Sequence, residues 1–264
     1  EGQREPLTAV GRQEGVPDGV HGVLGLLHGV LRQGFPRVML PALPDPVLIA
    51  EVAAFDLDGT LTDGGSVFPW LVANAGLARV YRASLRLAVP LIVGGLRSGA
   101  AADQAKERLF RATLQGRSAD DVSAVSREFA REHLDHEGRP TVMARLTWHL
   151  EQGHDVVLVS ASPELYVGVV AEQLRAHGFC GTRLAVDPRG NLTGSYLGRN
   201  CRGTEKMRRL DEWITGRGYA TTPLIYAYGN SRGDRRMLEC ADRPFNVGKL
   251  GPLSRLRRFP RLAA

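Results

Sequence analysis

Four short apolar runs, at 50–56, 155–160, 223–228 and 243–247, constrain the fold of this chain more than any other feature. Consecutive apolar residues mark strands that are covered on both faces. Segments with helical patterning separate the runs, at 140–152, 163–177, 204–217 and 233–240. Strands alternating with helices predict an α/β fold with a doubly wound, Rossmann-like, mainly parallel sheet. Ligands of such sheets bind beyond the carboxyl ends of the strands. Asp56 and Ser160 stand at two such ends.

Residues 66–138 break the alternation, with helix-like segments and almost no strand signal. A helical insertion directly after the first strand is expected to form a cap over the site, on an α/β core of 49–65 and 139–248. Asp187-Pro188-Arg189-Gly190 is a turn signal between two short strand-like runs, 182–187 and 192–198. Residues 1–48 are rich in Gly and Pro, and Gly19, Gly22, Gly25 and Gly29 interrupt their apolar stretch. That much glycine weakens a helix, so a poorly ordered extension is expected, with a membrane-touching segment as the alternative. The first methionine is Met39, and we expect the residues before it to be dispensable for folding. Glu1, Arg4 and Glu14 stand where a secretory signal needs a basic and then apolar pattern, so none is expected.

With 264 residues, the chain has room for one large domain or two modest ones. Its net charge of +6 favours acidic partners: phosphorylated metabolites, nucleic acid or an anionic membrane surface. Cys180, Cys201 and Cys240 have no metal-like spacing and read as reduced thiols of a cytoplasmic protein. No apolar stretch reaches the roughly 18 residues of a spanning helix. The uncharged segment 87–96 is too short to cross a bilayer, and reads as a buried helix or as a surface that dips into one.

The first run ends in Asp56-Leu57-Asp58-Gly59-Thr60. Side chains alternate along a strand, so Asp56 and Asp58 project to the same side. Neighbouring carboxylates repel unless they share a cation or one keeps a proton. Both arrangements suit a phosphate ester, where one carboxylate attacks and the other handles the leaving group's proton. The plainer reading is a polar Asp-Gly turn after a strand. The second run ends in Ser160-Ala161-Ser162-Pro163. There Ser162 is a plausible N-cap and Pro163 suits a first helical turn, whose amides and Ser160 would face an anion. Lys206 sits one turn inside a helix starting near Gly203 and could reach the same anion, with Arg202 as a second cation nearby. The third run ends in Gly229-Asn230-Ser231-Arg232-Gly233-Asp234, where Asn230 and Asp234 supply hard oxygen donors suited to magnesium.

In this order, these four stretches resemble the haloacid dehalogenase superfamily of phosphatases, from about residue 50 to residue 248. The wording around Ser160, Arg202 and Asn230 looks most like subfamily IB, with its phosphoserine-phosphatase-like and phosphatidylglycerophosphatase-like enzymes. The resemblance implies Asp56 as the nucleophile, forming an aspartyl-phosphate, and Asp58 as general acid and then base. It implies Ser160 and Lys206 on the phosphoryl oxygens, Thr60 supporting the loop, and Mg2+ on Asp56, the Asp58 carbonyl, Asn230 and Asp234. Two departures stand out. Asn230 replaces the usual aspartate, and Asp63-Gly64-Gly65-Ser66 lacks the glutamate of the phosphoserine-specific branch.

The leading expectation is a magnesium-dependent phosphomonoester hydrolase acting on a small phosphorylated metabolite or a lipid phosphate. Phe68, Trp70, Leu71 and the 87–96 segment could bind an acyl chain. The tail 249–264 carries Arg255, Arg257, Arg258 and Arg261, interleaved with Leu253, Leu256 and Phe259, and could settle peripherally on an anionic bilayer. No nucleic-acid module is recognisable, and no such partner is expected. The competing class is a catalytically weak binding or scaffold protein, motivated by Asn230 and the basic surface.

Overall fold

The computed structural model describes residues 49–87, 99–248 and 255–262. The expected extension at 1–48, nearly all of the 87–96 segment and residues 249–254 lie outside the described residues.

Strand β1 (Glu51–Phe55) is followed by helices α1 (Val67–Ala75), α2 (Leu77–Arg86), α3 (Ala100–Leu114), α4 (Ala119–Glu137) and α5 (Pro140–Glu151). Then come β2 (Asp155–Pro163), α6 (Glu164–Gln173), β3 (Gly178–Thr182), β4 (Leu184–Val186) and β5 (Leu192–Tyr196). Helix α7 (Thr204–Arg217), β6 (Leu224–Gly229), α8 (Arg235–Cys240) and β7 (Arg243–Asn246) follow, then a 3-10 turn at Arg255–Arg258. The main sheet runs β3-β2-β1-β6-β7, and every pairing in it is parallel. The chain winds outward from β1 in one direction through β2 and β3, and in the other through β6 and β7. The reversal therefore falls at β1, and it opens a crevice beyond that strand's carboxyl end.

Alternation within the strands builds two cores. Ala53, Phe55, Val156, Leu158 and Tyr228 face one side, with residues of α1–α6. Val52, Ala54, Val157, Val159 and Ala227 face the other, with Leu210 of α7 and Met237 and Leu238 of α8.

Three local expectations need correction. Strand β3 was not anticipated, because Gly178 and Gly181 dilute its apolar signal. Trp70 and Leu71 are fully buried, and Trp70 donates to Ser126 at 2.8 Å; they hold the helical insertion together and cannot receive an acyl chain. Leu256 and Phe259 are also buried, against the α7/α8 side, so these two residues of the tail turn into the protein and not toward a bilayer. The two runs around Asp187 pair as the antiparallel hairpin β4–β5, and Tyr196 ties that hairpin to Glu107 of α3 at 3.0 Å.

Candidate active site

Strand β1 delivers Asp56 into the crevice, and a tight turn follows at once. The amides of Thr60, Leu61 and Thr62 all donate to the Leu57 carbonyl. Gly59 makes this possible: its φ is +76°, and a Cβ there would lie 2.0 Å from Asn230 Nδ2. Thr60 Oγ1 donates to Asp56 Oδ2 at 2.8 Å. That bond fixes the carboxylate's rotation and leaves Oδ1 to Lys206.

Lys206, one turn into α7, reaches Asp56 Oδ1 and Asp234 Oδ1 at 2.5 Å each. All three side chains are essentially sealed from solvent, so residues 150 positions apart share one buried ionic centre. Burial, and then the Asp234 charge, hold the Asp56 carboxyl above the usual carboxylate range, with Lys206 pulling the other way. For Lys206, burial works against the charge, but the two carboxylates outweigh it and its pKa is raised.

Asp234 carries a second duty. Its Oδ2 accepts from the amides of Asn230 and Ser231 and from Ser231 Oγ, at 3.2, 2.9 and 2.8 Å. The loop after β6 is therefore wound around this carboxylate. Asn230, in contrast, keeps its Oδ1 buried and without a hydrogen-bond partner among the described residues. It lines a cavity of about 440 Å³ with Asp58, Gly59 and Arg139. Among the described residues no three His, Cys, Asp or Glu side chains converge as a metal cluster. The donors available to a cation are a mixed set: carboxylate oxygens of Asp56 and Asp234, backbone carbonyls, and the unpartnered Asn230 oxygen. All are hard, and they fit a small divalent ion.

Asp58 points toward the helical insertion. Its Oδ1 accepts from the Ser66 amide at 2.7 Å and its Oδ2 from Ser162 Oγ at 2.5 Å. Ser162 is thus a partner of Asp58 and not the expected N-cap; β2 runs on through Pro163, which itself occupies the cap position. Ser160 is buried within β2, three positions before that strand ends, and its Oγ accepts from the Ser162 amide at 3.1 Å. Arg202 packs along the backbone of Gly233, beside the same loop.

Two cations escaped the sequence reading. Lys106 of α3 is half-buried and donates to the Ala161 carbonyl at 2.8 Å, between Ser160 and Ser162. Burial lowers its pKa to about 8, against the raising effect of Asp58 and Asp103. Arg139 donates to the carbonyls of Gly59 and Val247 at 2.8 Å each, clamping the turn after β1 to the end of β7. A lone Lys on an amphipathic helix or a lone Arg between two helices carries no local signal, and only the tertiary approach reveals it. The Cys201 thiol is pushed up to about 11 by burial, which removes it as a nucleophile.

The crevice thus gathers a buried carboxylate pair, a buried lysine and hard oxygen donors at the carboxyl end of β1. The family model of haloacid dehalogenase-like hydrolases matches residues 53–239, and the chain belongs to that family, as an enzyme of its phosphatase kind. Protein CicA of Caulobacter vibrioides is 34% identical over 205 residues, covering 75% of this chain and 84% of that protein. A histidinol-phosphatase of Neisseria meningitidis is 26% identical over 201 residues, covering 75% and 90%. Among solved structures, a protein of unknown function from Bordetella pertussis superposes with a TM-score of 0.68 at 23% identity, over 81% of this chain and 99% of that one. A phosphoserine phosphatase solved as a phospho-aspartyl intermediate analogue superposes with 0.53 at 18%, over 75% and 86%; at such identities the likeness concerns the fold.

Proposed function

We propose that this protein is a magnesium-dependent phosphomonoester hydrolase working through an aspartyl-phosphate on Asp56. The observation that carries the reading is the Asp56–Lys206–Asp234 centre at the sheet's reversal point. Thr60 holds Asp56 so that one carboxylate oxygen can attack phosphorus in line. Lys206 offsets the repulsion between that carboxylate and the incoming phosphate dianion. Ser160 and the nearby amides hold phosphoryl oxygens, with Lys106 and Arg202 as further cations at the rim. Asp58 gives its proton to the departing alkoxide. It then takes a proton from the water that cleaves the aspartyl-phosphate, which releases inorganic phosphate and restores Asp56. Mg2+, held by Asp56, the Asp58 carbonyl, Asn230 and Asp234, would supply charge neutralisation and orientation of the phosphoryl group.

The buried positions of Trp70, Leu71, Leu256 and Phe259 favour a small phosphorylated metabolite over a lipid phosphate. The test is turnover of nitrophenyl phosphate with and without Mg2+, alongside Asp56→Asn. We expect the variant to lose at least about a thousandfold in kcat. Wild-type turnover no better than the variant's would leave the weak binding protein as the better reading.

One observation favours a peripheral contact with anionic membrane, at a different place from the tail. Leu77, Tyr81 and Leu85 form an i, i+4, i+8 stripe on α2 and are 63%, 57% and 58% exposed. Arg79, Arg82, Arg86 and Arg108 line a cavity beside it. An apolar stripe flanked by arginines is the pattern of a helix lying in a lipid interface. Sedimentation with phosphatidylglycerol vesicles should fall when Tyr81 and Leu85 are both changed to Ser; equal pelleting of both forms would dismiss the contact.

A further inference from the structure

Ser66 Oγ, His133 Nε2 and Tyr166 Oη are buried and have no hydrogen-bond partner among the described residues. Such groups are few in folded proteins, because each loses water without replacement. Here three gather in one place. Ser66 gives its amide to Asp58, and its hydroxyl faces that of Tyr166, in reach of a weak hydrogen bond that lowers the Tyr166 pKa but not of a well-formed one. The rings of His133 and Tyr166 are 6.4 Å apart, centre to centre, and both groups feel the Asp58 charge. Ser66 precedes α1, His133 lies on α4 and Tyr166 on α6, so the cluster spans the seam between helical insertion and sheet.

Asp58 is the side chain assigned to the leaving oxygen, so the group behind that oxygen must lie on its side. Both Asp58 oxygens are already engaged, by Ser66 and Ser162. Burial lowers the pKa of His133 and raises that of Tyr166, so imidazole and phenol are neutral at pH 7. Ser66, His133 and Tyr166 therefore offer uncharged atoms able to donate or accept. Phe129 stacks on His133 at 5.2 Å and adds an apolar wall. An acyl chain would leave the three polar atoms without well-formed partners, and both oxygens of Asp58 already have donors where an ammonium group would need one; Glu137, the other carboxylate acting on His133, lies exposed.

Building on the phosphatase reading, we infer that Ser66, His133 and Tyr166 form a leaving-group pocket selecting small, uncharged, hydroxyl-rich alcohols, so that the substrates are phosphomonoesters of polyol or sugar type. Hydroxyls both donate and accept, and their carbon faces pack on an aromatic wall.

The test compares kcat/KM for sorbitol phosphate, hexyl phosphate, aminohexyl phosphate and nitrophenyl phosphate. Sorbitol phosphate should exceed the hexyl and aminohexyl esters by at least about tenfold, as expected where a site is built to bond hydroxyls. Tyr166→Phe and Ser66→Ala should each lower the sorbitol-to-hexyl ratio by about tenfold; a ratio within one enzyme is insensitive to partial loss of folding. A wild type that favours hexyl or aminohexyl phosphate, or treats all three alike while hydrolysing nitrophenyl phosphate, overturns the pocket alone. So does a ratio that survives both substitutions. A wild type that hydrolyses none of the four overturns the phosphatase reading together with the pocket.

Discussion

Two buried polar clusters lie on the same sheet and solve the problem of burial in opposite ways. At the carboxyl end of β1, Asp56 and Asp234 both bond to the Lys206 ammonium that lies between them. On the α5 side, His149 bonds to His154 Nδ1 and to the Tyr228 hydroxyl at 2.8 Å each, and His154 lies 3.3 Å from Glu51. Burial drives His149 down to about 3, with the His154 and Arg145 charges acting the same way, so that its ring is neutral at pH 7. Phe55 stacks on Tyr228 at 4.3 Å, and Trp148 and Tyr226 pack edge-on to His149. A cluster that only has to fill space can discard its charge. A cluster that, as proposed, receives a phosphate dianion has to keep its cation, and Lys206 is held between two carboxylates.

The sharpest way to break this contrast is Lys206→Ala. It strands two carboxylates in a dry site, and should cost about 3–5 kcal/mol in urea unfolding as well as nearly all turnover. A mild loss of stability would mean that water already reaches the centre. Next in size is the pH dependence of metal binding. The raised Asp56 pKa means that a proton occupies the carboxylate over a wider range than usual, and in the proposed mechanism that proton would compete with Mg2+. The half-saturating Mg2+ concentration should therefore fall as pH rises toward neutrality and beyond, measured from initial rates. A flat profile would contradict the raised pKa.

The smallest effect belongs to the neutral cluster. His149→Gln should cost about 1–2 kcal/mol, since it breaks hydrogen bonds without stranding a charge, and should leave kcat/KM near wild type. Its pH signature follows from linkage. In the unfolded chain a histidine takes up its proton near pH 6.5, while the folded His149 refuses it down to about 3. The unfolded state then binds more protons, so wild-type stability should decline as pH falls below about 6.5. The Gln variant should lose that part of the decline, as thermal midpoints across pH would show.

Much of the site was legible because motif residues sit next to strand ends, where geometry is local. Asp56, Asp58 and Thr60 follow one apolar run by a few positions, and the turn at Gly59 needs no distant information. Ser162 misled because Ser-Pro before a helix is a capping signature, and nothing nearby hints that Asp58, 104 positions away, accepts its hydroxyl. Lys106, His133 and Tyr166 look like ordinary members of amphipathic helices, and Arg139 like a linker residue between two of them. The tail misled in the same way: basic residues alternating with Leu256 and Phe259 suit a bilayer, but the protein's own α7/α8 face takes the apolar side chains.

By itself, the order of apolar runs, glycine turns and acidic residues determined the parallel α/β sheet and the identity of its principal carboxylates. Periodicity and turn chemistry act over a few residues, and so they survive in a linear reading. Only the tertiary structure decided which cation neutralises which carboxylate, which oxygen is left free at Asn230, and which polar atoms wait unpartnered beside Asp58. Electrostatics and desolvation depend on distance in space, and folding brings together groups that the chain keeps far apart.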